Sequence, residues 1–86
     1  MIRRTKATYG QIDKVLRSLG FTRRVFERDG KGVRYEHKKT GALIVLPLFP
    51  DDDYVLDYHL AEVRGTLGDF GVADPSVFDA KLQKAG

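Results

Sequence analysis

A histidine among positive charges is the arrangement in this sequence that best suits acid–base chemistry. His37 lies in GKGVRYEHKKTG, residues 30–41, together with four Lys or Arg side chains and one carboxylate. A histidine exchanges protons near neutral pH, and nearby cations stabilise a phosphate during its cleavage. If the 2′-hydroxyl of RNA is the nucleophile, this chemistry requires no metal and no cofactor. His37 is therefore the candidate catalytic residue of a metal-independent endoribonuclease.

A structural role for His37 is the alternative, because a histidine at the end of a strand can also pack partly against the core. The other histidine, His59, precedes Leu60 in a predicted helix and is expected at the boundary of the core. The two histidines lie far apart in a chain without cysteine, which does not match a zinc-binding pattern. Neither Ser18 nor Ser76 lies in a nucleophile elbow, so nucleophilic catalysis is not indicated.

Basic residues on and between the first two predicted strands form the candidate RNA-binding set. Cations neutralise phosphates, and exposed aromatic rings can stack on bases. Phe26 and Tyr35 lie among these cations, although Tyr35 is expected to face the core with Val33. The basic residues are Arg23, Arg24, Arg28, Lys31, Arg34, Lys38 and Lys39.

The charge of the chain is divided unequally between its two halves. Residues 1–41 carry twelve Lys or Arg and four acidic residues, whereas residues 42–86 carry three and eight. The first half is therefore +8 and the second −5, which gives the net charge of +3. A division of this kind can place a positive surface beside a negative one, and a positive surface attracts polyanions such as nucleic acids.

Two amphipathic helices and a short third helix are predicted to position these residues. TYGQ matches a capping box in which Thr8 is the N-cap, and the helix that follows is expected to end at Gly20. A second helix is predicted over residues 57–70, with Asp57 as its N-cap. The third begins after Asp74, which is its expected cap, with proline at the first helical position.

Three strands are predicted between the first two helices, at residues 21–28, 33–37 and 42–47. DGKG, residues 29–32, predicts the first hairpin turn. The third strand, ALIVLP, is apolar at consecutive positions and is expected to be more buried than the other two. Residues 51–53, three aspartates, are interpreted as a solvated loop rather than a cation site.

These elements predict a two-layer α+β fold in the order α-β-β-β-α, with a three-stranded antiparallel sheet and a short extra C-terminal helix. Residues 1–7 are assigned to a basic N-terminal arm and residues 8–86 to a single domain. No apolar segment of the kind found in signal peptides follows the basic start, and the longest apolar run is too short to cross a bilayer. We therefore expect a soluble, cytoplasmic protein that does not contact a membrane.

Several of these segments resemble the HicA family of toxin–antitoxin ribonucleases. VLRSLGF, residues 15–21, is similar to the place where the family's first helix runs into a Gly-Phe strand start. The hairpin GKGVRYEH, the strand ALIVLP and the segment VRGTLGDFGV, residues 63–72, follow in the family's order. The resemblance covers roughly residues 8–72. It implies a double-stranded-RNA-binding-like fold, cleavage of mRNA and a HicB-like antitoxin as partner.

The resemblance also identifies where this sequence departs from the family. The family's catalytic histidine follows a Gly-Ser pair at the start of the second strand. Gly30 matches that glycine and Lys31 the serine, so Gly32 stands at the histidine position. Phe49 likewise stands where many members have a histidine. Because glycine cannot exchange a proton, we expect an RNA-binding, HicA-like component of a toxin–antitoxin pair in which cleavage is weak or lost.

Two alternative functions follow from the same residues. One is a protein-interaction module that keeps the fold without catalysis and binds an antitoxin-like chain. The other is an active ribonuclease that uses His37. RNA is the expected ligand of the leading hypothesis and the substrate of the ribonuclease, and no metal or cofactor is expected for any of the three.

Overall fold

The computed structural model describes residues 3–27 and 30–85. Within these ranges the elements are β1 (Arg4–Thr8), α1 (Tyr9–Ser18), β2 (Thr22–Glu27), β3 (Lys31–His37), β4 (Ala42–Pro47), β5 (Tyr54–Leu56), α2 (Asp57–Asp69) and α3 (Pro75–Lys84). Strands β2, β3 and β4 form an antiparallel sheet in that order, and β1 pairs with β5 in a separate sheet. The α+β class, the three-stranded antiparallel sheet and the short C-terminal helix are confirmed.

Helix α1 begins and ends as the sequence predicts. The Gln11 N–H donates to the Thr8 hydroxyl at 3.2 Å, and the Thr8 N–H donates to the Gln11 side chain at 2.8 Å, which completes the capping box. Gly20 follows the helix with φ of 98°, a left-handed conformation that favours glycine. The Phe21 N–H then donates back to the Leu16 carbonyl, so the chain leaves α1 directly into β2.

One face of the three-stranded sheet packs against the helices. Val33 and Tyr35 of β3 and Ile44 of β4 point to this face, and each is at most 5% exposed. They share one core with Leu16 of α1 and Val63 of α2. Because side chains alternate along a strand, the residues between them must point away from the core.

The outer face of the sheet is open, and this overturns the expectation for β4. Leu43 and Val45 are 44% and 45% exposed, while their neighbours Ala42, Ile44 and Leu46 are buried. The prediction that ALIVLP is buried on both faces is therefore wrong. The physical reason is that α2 lies on one side of β4 and none of the described helices covers the other side.

A second, smaller sheet joins β1 to β5, the strand that directly precedes α2. Arg4 pairs with Leu56 and Thr8 with Tyr54, with an irregularity between the two positions. The arm assigned to residues 1–7 thus contains most of a strand, while residues 1 and 2 lie outside the described ranges. Neither β1 nor the three-residue β5 shows enough alternation of apolar and polar residues to be recognised from sequence.

The starts of α2 and α3 differ in detail from the expected caps. Leu56, not Asp57, occupies the N-cap position of α2, and it makes no side-chain cap bond. The Asp57 N–H instead donates to the Arg3 carbonyl at 2.8 Å, which extends the pairing of β1 with β5. Asp74 does occupy the N-cap position of α3, with Pro75 next, but its side chain makes no cap bond. Gly71 ends α2 with φ of 68°.

Candidate nucleic-acid interface

Two arginines lie directly opposite each other on the outer face of the sheet. The register of β2 and β3 pairs Arg24 with Arg34 and Thr22 with Glu36. Arg34 and Glu36 alternate with the buried Val33 and Tyr35, and their partners Arg24 and Thr22 lie on the same face, so all four project to the open side. Like charges directly opposite each other in a sheet are destabilising. This pair is therefore most favourable when an anion lies between or beside the two guanidinium groups.

Glu36 supplies a carboxylate on this face. Its Oε1 lies 2.8 Å from Nε of Arg34, and the two side chains are 43% and 48% exposed. Exposed ion pairs contribute only about 0.2–1 kcal/mol, because water and salt screen them. Arg24 has no carboxylate within ion-pair distance in the part of the chain that the structure describes. The local charge of the face is thus positive.

Two depressions lie on this part of the sheet. One, of about 240 Å³, is lined by Thr22, Arg23, Arg24, Arg34, Glu36 and Lys38. The other, of about 250 Å³, shares three of these residues and adds His37, Gly41, Ala42 and Leu43. We call Thr22, Arg24, Arg34, Glu36 and Lys38 the cationic sheet surface.

Arg23 belongs to a different structural unit from its neighbour Arg24. Its Nε lies 3.3 Å from Oδ1 of Asp13 in α1, and the Tyr35 hydroxyl donates to the same oxygen at 2.8 Å. Arg17 approaches Asp13 as well, at 3.1 Å. Burial, and then the bond to Asp13, raise the pKa of Tyr35 far above its ordinary range. Arg23 therefore fastens β2 to α1.

The other basic candidates divide between the two ends of β3. Lys38 and Lys39 are exposed in the turn that follows the strand, where Lys38 joins the cationic sheet surface. Lys31 is exposed at the opposite end, about 20 Å away at 3.3 Å per residue. Arg28 lies outside the described residues. Of the predicted set, the structure thus brings together Arg24, Arg34 and Lys38.

His37 sits at the rim of the core. Its Nδ1 lies 2.8 Å from the Thr40 hydroxyl, which also accepts the Ala42 N–H at 3.3 Å. The ring packs on Phe21 with centroids 5.0 Å apart, and a Cβ added at Gly20 would lie 3.3 Å from Nε2. This environment resembles the structural alternative described for His37.

The outer face leaves no room for a side chain at Gly32. Phe26 lies opposite Gly32 in the sheet, and a Cβ added to the glycine would collide with the aromatic ring. An aromatic residue that covers a glycine in this way shields an otherwise bare stretch of backbone. The position at which the HicA resemblance expects a histidine is therefore occupied by the ring of Phe26.

His59 is buried rather than at the boundary of the core. It is 4% exposed, and its Nδ1 lies 2.8 Å from the Tyr9 hydroxyl, which also accepts the Leu56 N–H at 3.3 Å. Burial lowers the pKa of His59, although the nearby Glu62 opposes the shift. A signal in the sequence existed, because His59 continues the buried positions of α2 at a spacing of four residues; these positions are His59, Val63 and Leu67.

Aromatic rings surround His59. Tyr58 lies 4.3 Å from it between centroids, and Phe49 stacks on Tyr9 at 4.7 Å. The Arg4 guanidinium lies 6.0 Å from the centre of the Phe49 ring. We call Tyr9, Phe49, Tyr58 and His59 the aromatic cluster. The cluster packs α1 against α2 and against the loop that follows β4, so its role is structural.

The aspartate loop contributes backbone groups to the start of α1. The carbonyls of Asp51 and Asp53 accept the N–H groups of Gly10 and Tyr9 at 2.9 and 3.0 Å. These N–H groups belong to the first turn of the helix and have no partner within it. Within residues 3–27 and 30–85, no group of three or more His, Cys, Asp or Glu side chains is arranged to hold a metal ion.

Comparisons with known proteins do not assign a function, so the fold and the cationic sheet surface are the basis for proposing one. No protein-family model matches the sequence, and neither the curated proteins nor the solved structures gave a significant match. Among the described residues, no helix is both long and apolar enough to cross a membrane.

Proposed function

We propose that this protein is a HicA-like, RNA-binding component of a toxin–antitoxin pair, in which mRNA cleavage is weak or lost. The observation that carries the proposal is the cross-strand pair of Arg24 and Arg34 on an uncovered face of the sheet. A phosphate between the two guanidinium groups would relieve their repulsion and accept hydrogen bonds from both. The proposal places the protein in the cytoplasm, where it would encounter mRNA.

The shape and composition of the surface support RNA as the ligand. Both depressions lie on the part of the sheet that no described helix covers, which leaves room for a polymer to lie across the sheet. Val45 lies opposite Arg34 and Leu43 opposite Glu36, and the exposed apolar side chains of both can contact bases. Proteins that bind single-stranded nucleic acids combine a positively charged groove for the phosphates with side chains, most often aromatic, that contact the bases.

Two features favour weak or lost cleavage. The ring of Phe26 fills the space above Gly32, so the expected catalytic position carries no proton-exchanging group. His37 borders the second depression, but its Nδ1 is bound to Thr40 and its Nε2 lies near Gly20. Any residual cleavage would depend on His37, and His37→Ala should then abolish both RNA cleavage in vitro and growth arrest on induced expression.

A salt titration tests the RNA-binding proposal. The fluorescence anisotropy of a labelled single-stranded RNA reports the affinity of the wild type and of the variant Arg24→Ala/Arg34→Ala. Losing about two phosphate contacts should weaken binding at least about tenfold and reduce the slope of log K against log salt by about 1.4. Absence of binding by the wild type, or binding that salt leaves unchanged, would contradict the proposal.

The control for that experiment removes the same charge from the helical layer. Lys14 and Lys84 are exposed on α1 and α3, away from the sheet, and border a groove between the two helices. Lys14→Ala/Lys84→Ala therefore has the same net charge as the arginine variant. We expect the affinity of this control for RNA to change by less than about threefold. It loses only long-range electrostatic attraction to RNA and no contact on the sheet. Equal losses in both variants would argue against a site on the sheet.

A protein-interaction module is the second candidate function, and the exposed apolar residues of β4 favour it. Leu43 and Val45 form an apolar strip beside the cationic sheet surface, a combination that suits an acidic partner with an apolar face. A HicB-like antitoxin would be such a partner. Leu43→Ser/Val45→Ser should then abolish capture of that protein after ribonuclease treatment. If the wild type captures an acidic protein only while RNA is present, RNA binding is the better assignment.

A further inference from the structure

The inference concerns Glu36, the carboxylate of the cationic sheet surface, and it rests on the proposed RNA-binding function. Arg34 and Glu36 are two residues apart on β3, so both side chains project from the same face. In the free protein their ion pair occupies Nε of Arg34 at 2.8 Å. An RNA phosphate that binds Arg34 through Nε must therefore compete with a carboxylate already in place.

The placement of Glu36 also explains how the free protein tolerates the arginine pair. Without a carboxylate, Arg24 and Arg34 would repel each other across the strands, and Glu36 offsets part of that repulsion through Arg34. The compensation is incomplete, because one carboxylate faces two guanidinium groups and the Lys38 ammonium. The surface consequently keeps a positive charge that can attract a stronger anion.

We infer that Glu36 is an internal competitor for phosphate, which pairs with Arg34 in the free protein and is displaced when RNA binds. Displacement leaves the carboxylate next to the incoming phosphate, so each binding event includes an electrostatic cost. A ligand that contacts Arg24 and Lys38 at the same time offsets this cost, whereas an isolated anion does not. Glu36 therefore restricts the site to polyanions with several neighbouring phosphates and lowers their affinity.

A double-mutant cycle between Glu36 and Arg34 tests this inference directly. The four proteins are the wild type, Glu36→Gln, Arg34→Ala and the double variant, each titrated with the same labelled single-stranded RNA at about 50 and about 200 mM salt. Glu36→Gln should bind about three- to fivefold more tightly than the wild type, which corresponds to the strength of an exposed ion pair. In the Arg34→Ala background the same substitution should have little effect.

Two controls separate competition from the general increase in positive charge. Glu62 is exposed on α2, so Glu62→Gln makes the same chemical change in the helical layer and should alter affinity by less than about twofold. Glu36→Asp keeps the net charge but withdraws the carboxylate from Arg34 by one methylene. Tighter binding by Glu36→Asp than by the wild type would support displacement, since long-range charge is unchanged.

The outcomes distinguish this inference from the function on which it rests. If the wild type binds RNA with the expected salt dependence, but Glu36→Gln strengthens binding equally with and without Arg34, then Glu36 is not a competitor and only the inference fails. If neither the wild type nor Glu36→Gln binds RNA, the proposed function fails and the inference fails with it. A gain that requires Arg34 and is absent in Glu62→Gln supports both.

Discussion

His37 and His59 make nearly the same hydrogen bonds in very different surroundings. In each case a hydroxyl accepts a backbone N–H and lies 2.8 Å from Nδ1 of the imidazole. The hydroxyl belongs to Thr40 at the rim of the sheet and to Tyr9 inside the aromatic cluster. His37 is partly exposed, whereas His59 is 4% exposed.

The difference shows that burial, rather than the local bonding pattern, decides what each histidine does. A protonated imidazole donates hydrogen bonds from both ring nitrogens and carries a positive charge that needs solvation. At the rim, the His37 ring is partly exposed to water. Inside the cluster, the charge of a protonated His59 would lack solvent, which is costly. His59 is therefore a neutral structural residue at pH 7.

Replacing each histidine by alanine should give the largest difference between the two sites. His59→Ala leaves a cavity in the aromatic cluster and removes the imidazole partner of the Tyr9 hydroxyl, so we expect a loss of about 3 kcal/mol in the free energy of unfolding. His37→Ala should cost less than about 1 kcal/mol, because water reaches the site. Urea unfolding followed by circular dichroism measures both. Equal losses would mean that the two sites are not different in burial.

Removing the hydroxyl partner of His59 should have the next largest effect. Tyr9→Phe keeps the ring that stacks on Phe49 but deprives both Nδ1 of His59 and the Leu56 N–H of their partner. Leaving buried polar groups unsatisfied costs about 1–3 kcal/mol, which the same urea experiment would detect. If this variant is as stable as the wild type, water forms hydrogen bonds with Nδ1 of His59 and the Leu56 N–H in place of the hydroxyl.

Lowering the pH should destabilise the protein through His59. Burial holds the pKa of folded His59 below its ordinary value of 6.5, so the unfolded chain binds more protons as the pH falls below that value. Stability is then lost between pH 6.5 and the lower folded pKa, with a slope of at most about 1.4 kcal/mol per pH unit for one proton. Urea midpoints measured from pH 7 to 5 test this.

His59→Asn should flatten that pH dependence, whereas His37→Ala should retain it. Restricting the comparison to values above pH 5 keeps the carboxylates out of the titration, since their ordinary pKa values lie near 4. A wild-type protein whose stability is constant over this range would contradict the assignment of His59 as a buried neutral residue.

The smallest effect is expected at the rim. Thr40→Val removes the hydroxyl beside His37 and its bond from the Ala42 N–H while keeping the shape of the side chain. Water replaces these bonds at a partly exposed position, so we expect a loss below about 0.5 kcal/mol. A cost as large as that of Tyr9→Phe would show that the rim site is more enclosed than its exposure suggests.

Sequence predicted the parts of the fold that depend on neighbouring residues. The capping box at Thr8, the left-handed Gly20 and the three strands all follow from signals within a few positions. The pairing of β1 with β5 could not be predicted in this way, because it joins two short segments that lack alternation. The exposure of Leu43 and Val45 depends on which sheet face the helices cover, which a continuous apolar run does not reveal.

The candidate site was predictable only in part for the same reason. Alternation along a strand correctly separates Arg34 from Tyr35, and it separates Arg24 from Arg23 as well. The attachment of Arg23 to Asp13 requires α1 to pack beside β2, a tertiary contact with no local signal. Likewise, the position of the Phe26 ring over Gly32 depends on the register of two strands.

The separation in sequence between β1 and β5 predicts that these strands pair after the hairpins of the central sheet have formed. Short turns connect β2, β3 and β4, whereas the pairing of Arg4 with Leu56 closes a much longer loop. Closing a long loop has a larger entropic cost than closing a short one, so contacts of this kind form late and open early. The β1–β5 ladder should therefore exchange its amide hydrogens faster than the central sheet, through openings that leave that sheet intact.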